Sequence, residues 1–70
     1  MTPSDIRSTL ATLGWSSNHL ARLLGKARTT PWNWIAGRSA VPADIAAWLQ
    51  RRVQAHQRMM RDDPPPGAAP

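Results

Sequence analysis

The sequence contains no cysteine and only four acidic residues, all of them aspartate. Without cysteine, neither a disulfide nor a thiolate metal site can stabilise the fold. The two histidines, His19 and His56, are too far apart in sequence to bind a metal as a pair on one helix. We therefore expect no metal and no other cofactor, and the missing cysteines favour a cytoplasmic protein.

Long apolar runs are also missing. No stretch is apolar enough to cross a membrane, and no basic leader precedes a hydrophobic segment. We expect neither a membrane span nor a signal peptide. Seventy residues predict one small domain, whose core supplies only a few kcal/mol of net stability, so self-association could matter.

The scarcity of acids also argues against an enzyme. Catalysis needs a nucleophile with a base, paired carboxylates or a metal cluster. Here the acids are divided between two predicted helix starts and the C-terminal segment. We expect no catalytic residues and no small-molecule ligand.

What the sequence does contain is positive charge. Nine Lys and Arg residues against four acids give a net charge of +5, and all but one of the nine are arginine. The planar guanidinium group of arginine suits bidentate contacts with phosphate or guanine. Charge alone does not separate a nucleic-acid partner from an ordinary basic surface.

Apolar spacing predicts an all-α domain of four helices, with five as the alternative. Thr2 and Asp5 form a box-like cap for a first helix over about 3–13. Ser16 caps a second helix over about 17–24, and a glycine follows each of these helices.

A third helix follows after a short turn. Proline is tolerated only in the first turn of a helix, so Pro31 must lie there. That places the N-cap among Ala27, Thr29 and Thr30, and the helix ends near Ala36.

A long fourth helix begins with Pro42 as its first residue and reaches about Arg61, roughly 30 Å. Residues 1–62 therefore form the domain. Residues 63–70, rich in proline, predict a disordered tail.

The third helix has a polar face. With Trp34 pointing inward, a projection at 100° per residue places Thr30 and Pro31 on the buried side. The other side carries Arg28, Thr29, Trp32, Asn33 and Ala36. Such side chains suit guanine, adenine, a thymine methyl group or a phosphate, so this face is typical of a base-contacting surface. The alternative, with Trp32 inside and Trp34 exposed, stays open on projection alone.

The segment 15–37, WSSNHLARLLGKARTTPWNWIAG, resembles the helix-turn-helix of the lambda repressor and Cro-like family. That pattern has a capping serine, a Leu-Ala pair, Leu-Gly at the turn, a polar start to the recognition helix, a tryptophan and a closing glycine. The matching residues are Ser16, Leu20, Ala21, Leu24, Gly25, Thr30, Trp34 and Gly37. The sequence departs from the family at Lys26, Ala27 and Pro31, where a buried aliphatic residue, a capping Ser or Thr, and Ile or Val are usual.

The resemblance implies a sequence-specific regulator of transcription that binds double-stranded DNA, of bacterial or phage type. A repressor that occupies a promoter is the simplest form. It places Arg28, Thr29 and Asn33 at base edges in the major groove, and the predicted base-contacting set also includes Thr30 and Trp32. The phosphate contacts would be Ser17, His19, Lys26, Arg38 and Ser39.

The fourth helix continues its apolar stripe beyond what a small core can use, through Val53, His56, Met59 and Met60. This stripe predicts a homodimer interface, and the alternative is a frayed or folded-back helix.

A second possible function, of a different class from DNA binding, is that of a small adaptor or antitoxin-like module. In that case the fourth helix binds a different protein. Salt-sensitive binding to DNA would separate the two classes.

Overall fold

The computed structural model describes residues 1–67. This part of the chain contains four α-helices: α1 (Pro3–Leu13), α2 (Ser17–Leu24), α3 (Thr29–Ile35) and α4 (Ala43–Asp62). It has no strand, so the all-α, four-helix prediction is confirmed. Residues 63–67 form no helix and are exposed, whereas residues 68–70 of the predicted disordered tail lie outside the described residues.

The start of α1 is the predicted capping box. The hydroxyl oxygen of Thr2 accepts a hydrogen bond from the backbone N–H of Asp5 at 3.1 Å. In return, the carboxylate of Asp5 accepts one from the backbone N–H of Thr2 at 2.8 Å. Hydrogen bonding to Thr2, first from its backbone N–H and then from its side chain, lowers the pKa of the Asp5 carboxyl below its ordinary value of 3.8. The box thus satisfies two N–H groups that a helix start leaves free.

Three helices end in the same way, with a glycine in the left-handed conformation after the last turn. At the end of α3, Gly37 has a φ of 77° and donates its N–H to the carbonyl of Trp34 at 3.2 Å. The next N–H, of Arg38, donates to the carbonyl of Asn33 at 2.8 Å. This pair of bonds defines the Schellman motif, which only glycine adopts at low cost. The motif fixes the direction in which the chain leaves α3.

The core lies where α1, α2, α3 and the first half of α4 meet. Its buried members are Ile6, Leu10, Leu20, Trp34, Ile45 and Leu49. Trp34 is only 4% exposed, whereas Trp32 is 54% exposed. Trp34 is therefore the buried tryptophan, and the alternative with Trp32 inside is excluded. The other two tryptophans, Trp15 and Trp48, are half-buried against the core, and their ring centroids lie 5.8 Å apart.

The predicted cap of α3 is wrong. The N-cap is Arg28, which makes no side-chain hydrogen bond, and not Ala27, Thr29 or Thr30. A side-chain cap serves the N–H groups of the second and third helical residues. Here the second, Thr30, already donates its N–H to the carbonyl of Ala27 at 3.0 Å, and the third, Pro31, has no N–H. No donor is left for a capping side chain to serve.

The bounds of α4 differ slightly from the prediction. Pro42 is the N-cap, with an extended ψ of 145°, and the first helical residue is Ala43. The helix is 20 residues long and ends at Asp62, one residue beyond the predicted end. The whole molecule measures 42 × 20 × 19 Å. Among the helices of residues 1–67, none combines the length and the apolar character needed to span a membrane.

Candidate nucleic-acid interface

The exposed face of α3 is the one that the projection predicts. Arg28, Thr29, Trp32 and Ala36 are exposed, and Asn33 is half-buried. Pro31 and Trp34 are buried on the opposite side. Of the five residues predicted to contact bases, only Thr30 lies toward the packed side, where it is half-buried.

An open depression of about 310 Å³ lies between the start of α2 and the start of α3. It is lined by Ser17, Asn18, Arg28, Thr29 and Trp32. The fold thus brings one predicted phosphate contact, Ser17, beside three of the predicted base contacts. The lining offers a guanidinium group, two hydroxyls, an amide and an indole ring, which are the groups that proteins use on base edges and phosphates.

Asn18 is a lining residue that the sequence reasoning missed. It occupies the second position of α2 and is exposed. In the sequence, only its position directly after Ser17 could have identified it as a contact residue. Only the packing of α2 against α3 brings its amide to the depression.

The other predicted contacts lie outside this depression. Lys26 is exposed in the turn between α2 and α3, and Arg38 and Ser39 are exposed just after α3. The ring of His19 is half-buried and meets Trp15 edge-on, with the ring centroids 5.5 Å apart.

The stretch of chain that contains α2 and α3 carries positive charge without acids. The sequence has no acidic residue between Asp5 and Asp44. The cations in this interval are Arg7, Arg22, Lys26, Arg28 and Arg38. In the part of the chain that the structure describes, the ion pair between Arg61 and Asp62 is the only one. Within residues 1–67, none of these five cations is therefore paired with a carboxylate.

Arg7 is a second residue that the sequence reasoning missed. Its guanidinium group, on α1, donates a hydrogen bond to the carbonyl of Ile35 at 3.2 Å. That carbonyl belongs to the last turn of α3, where a cation is stabilised by the negative end of the helix dipole. Arg7 therefore helps to hold α3 in place. No local signal could reveal the contact, because it joins residues 28 positions apart.

The C-terminal half of α4 carries the predicted dimer stripe. Val53 and His56 are half-buried, whereas Met59 is 65% exposed and Met60 is 41% exposed. None of these residues belongs to the core cluster or to the apolar residues packed against it. The stripe thus lies outside the core, half-buried at Val53 and His56 and exposed at Met59 and Met60.

Within residues 1–67, no group of three or more His, Cys, Asp or Glu residues is placed to hold a metal ion.

No protein-family model matches the chain, and comparison with curated proteins and with solved structures gave no match either.

Proposed function

We propose that the protein is a sequence-specific regulator of transcription that binds double-stranded DNA by placing α3 in the major groove. The observation that carries this proposal is the depression between α2 and α3. It joins the exposed groups of Arg28, Thr29 and Trp32 to those of Ser17 and Asn18, on a part of the chain without an acidic residue.

The side chains on this face match the chemistry of base edges. In the proposed complex, Arg28 donates to O6 and N7 of a guanine, and Asn33 forms the bidentate pair typical of adenine. Trp32 contacts a thymine methyl group. Ser17, Lys26 and Arg38 donate to phosphates, which set the orientation of the helix without selecting sequence.

The length of α3 favours two copies on one site. Its seven residues span about 10 Å, which corresponds to roughly three base pairs at about 3.4 Å each. So short a contact selects a sequence poorly. Two copies related by a twofold axis double the contact and require an inverted repeat.

The stripe on α4 is the surface through which we propose that the two copies join. Its residues are Val53, His56, Met59 and Met60. A dimer that occupies a promoter blocks transcription, so the proposed regulator is a repressor of bacterial or phage type. A DNA partner places it in the cytoplasm.

One observation favours a second candidate function. The exposure of Met59 and Met60 also suits a small adaptor or antitoxin-like module, whose last helix binds a different protein. Methionine is adaptable in such contacts. An adaptor of this kind needs no DNA.

DNA selection followed by a salt titration tests the proposal. The full chain should enrich a defined motif from a random duplex pool. The logarithm of its affinity should then fall linearly with the logarithm of salt concentration, by about 0.9 for each phosphate contacted. A pure adaptor would enrich no motif and would show no retardation of DNA at low salt.

A further inference from the structure

The outward face of α4 carries three arginines that the proposed function does not use. At 100° per residue, Arg51, Arg58 and Arg61 lie within about 80° of one another. This arc is opposite Ile45 and Leu49, which are buried against the core. All three arginines are exposed. We call them, with the intervening Gln54 and Gln57, the arginine face.

The arginine face has almost no compensating charge. The sequence contains no acid from Ile45 to Arg61. Among residues 1–67, only Arg61 has a carboxylate within reach, that of Asp62 at 3.7 Å. Both side chains are largely exposed, with relative exposures of 76% and 67%, so water and salt screen this pair strongly.

The helix dipole accounts for Arg61, which lies in the last turn of α4, but not for Arg51. A cation is stabilised by the helix dipole only within the last turn, and Arg51 lies about three turns before the end of α4. Nor do all the arginines of α4 share this surface. The guanidinium group of Arg52 instead lies over the ring of Trp48, 5.3 Å from its centroid.

The shape and chemistry of the arginine face suit phosphate groups. Gln54, Gln57, Arg58 and Arg61 line an open depression of about 230 Å³. The guanidinium fork forms two parallel hydrogen bonds with a phosphate, and the glutamine amides can donate to the same oxygens. From Arg51 to Arg61 the face extends about 15 Å along the helix, which matches roughly four phosphates of one DNA strand.

The arginine face and the exposed face of α3 lie on separate helices. Helix α1 packs against both α3 and α4. The exposed face of each of these two helices is opposite its own buried residues, so each points away from the core. We therefore expect each face to contact its own DNA segment. The arginine face is also distinct from the stripe Val53, His56, Met59 and Met60, so it stays exposed in the proposed dimer.

We propose that the arginine face binds the phosphate backbone of a second DNA segment, without sequence preference, while α3 occupies its specific site. This inference rests on the proposed function, because it requires a protein already bound to DNA through α3. Its consequence is that the protein bridges two stretches of DNA.

A capture experiment with the full chain tests the bridge. A duplex with the selected motif is immobilised, the protein is bound to it, and a labelled duplex of about three helical turns that lacks the motif is added. The parent protein should retain the labelled duplex at 50 mM salt. With three phosphate contacts at about 0.9 each, that retention should weaken roughly 40-fold between 50 and 200 mM salt.

The test variant is Arg51→Gln with Arg58→Gln and Arg61→Gln, which removes the charges but keeps good helix formers. It should bind the immobilised motif as the parent does and lose the labelled duplex. The matched control compares two single changes on the same helix. Arg58→Gln should weaken capture, whereas Arg52→Gln, which removes a charge from the Trp48 side, should not.

Three results would overturn the inference while the proposed function stood. The parent could bind the motif without retaining the labelled duplex. The triple variant could retain that duplex as well as the parent does. Arg52→Gln and Arg58→Gln could weaken capture equally, in which case net charge and not the arginine face would govern it. By contrast, a parent protein that selects no motif contradicts the proposed function itself.

Discussion

Arg28 occupies a position that helix stability does not favour. It stands at the N-terminal end of α3, where the helix dipole repels a cation. It makes no capping hydrogen bond, and in residues 1–67 no carboxylate lies within ion-pair distance of it. An exposed arginine in such a place is better explained by a partner than by stability, and a guanine edge is the partner that we propose.

Replacing two of the proposed base-contacting side chains should therefore affect specificity. Arg28→Ala and Asn33→Ala should each cost about 1–3 kcal/mol on the selected duplex and relax the preference at one base pair. Each lost bidentate contact leaves a base edge without its partner. Binding titrations on the selected duplex and on its single-base variants measure both effects.

Two other arginines provide the controls for this prediction. Arg38→Ala should weaken binding to all sequences alike, because its proposed partner is a phosphate. Arg22→Ala removes an exposed arginine of α2 that has no proposed contact, so it should leave the selected motif unchanged. If Arg28→Ala kept both the motif and the affinity of the parent, the base-contacting face would have been assigned to the wrong residues.

At the scale of the element, the start of α3 depends on Pro31. This proline is buried at the third helical position, and its missing N–H removes a donor that a side-chain cap would otherwise serve. Its ring also fixes φ and so restricts the unfolded chain. Proline at this position thus makes a side-chain cap at the start of α3 unnecessary.

Pro31→Val restores an N–H group at a place where no capping acceptor exists. We expect the fold to persist but the free energy of unfolding to fall by about 1–2 kcal/mol, since the new donor is unsatisfied and the unfolded chain gains freedom. Thermal and urea denaturation measure the loss. Because the start of α3 is altered, selection should also give a changed base preference.

A second substitution distinguishes the effect of an uncapped N–H group from a simple loss of packing. Adding Arg28→Ser to Pro31→Val supplies a hydroxyl at the N-cap, which should recover about 1 kcal/mol of the lost stability. The same Arg28→Ser change in the parent should recover nothing, because no N–H awaits a cap there. Equal stability of the parent and Pro31→Val, with the same selected motif, would make Pro31 a neutral substitution.

At the scale of the whole molecule, α4 extends the domain into a shape 42 Å long. The core uses Ile45 and Leu49 from the first half of this helix. The second half holds the apolar stripe of the proposed dimer on one side and the arginine face on the other. A second copy that covered the stripe would leave both of the proposed DNA-binding surfaces exposed.

Sedimentation of the free protein tests the dimer. The parent should be dimeric and should select an inverted repeat whose half-site centres lie about 34 Å apart. Val53→Asp with Met60→Asp should give a folded monomer that binds the full site much more weakly, because an aspartate in an apolar interface loses its hydration without a partner. Circular dichroism confirms that the helices persist.

The control pair places the same two charges elsewhere on α4. Gln50→Asp with Gln54→Asp adds two aspartates to exposed positions on the side away from the stripe, and this variant should remain dimeric. A parent that stays monomeric at tens of micromolar and selects a site without a repeat would contradict the dimer.

Most helix ends, though not the N-cap of α3, could be predicted from the sequence because their interactions are local. The box formed by Thr2 and Asp5, the cap at Ser16 and the glycines after α1, α2 and α3 all join residues no more than five positions apart. The same holds for the position of Pro31 in the first turn of α3, which the geometry of proline requires. The bounds of α1 and α2 were therefore correct, and those of α4 differed by one residue at each end.

Only the tertiary structure decided which surfaces exist. Periodicity alone left Trp32 and Trp34 interchangeable, and packing buried Trp34 because α1, α2 and α4 supply the apolar side chains around it. The depression that joins Asn18 to Arg28 and the hydrogen bond from Arg7 to Ile35 connect separate helices. Such contacts depend on how the helices pack against one another, and that packing is set by the burial of the whole apolar surface and not by neighbours along the chain.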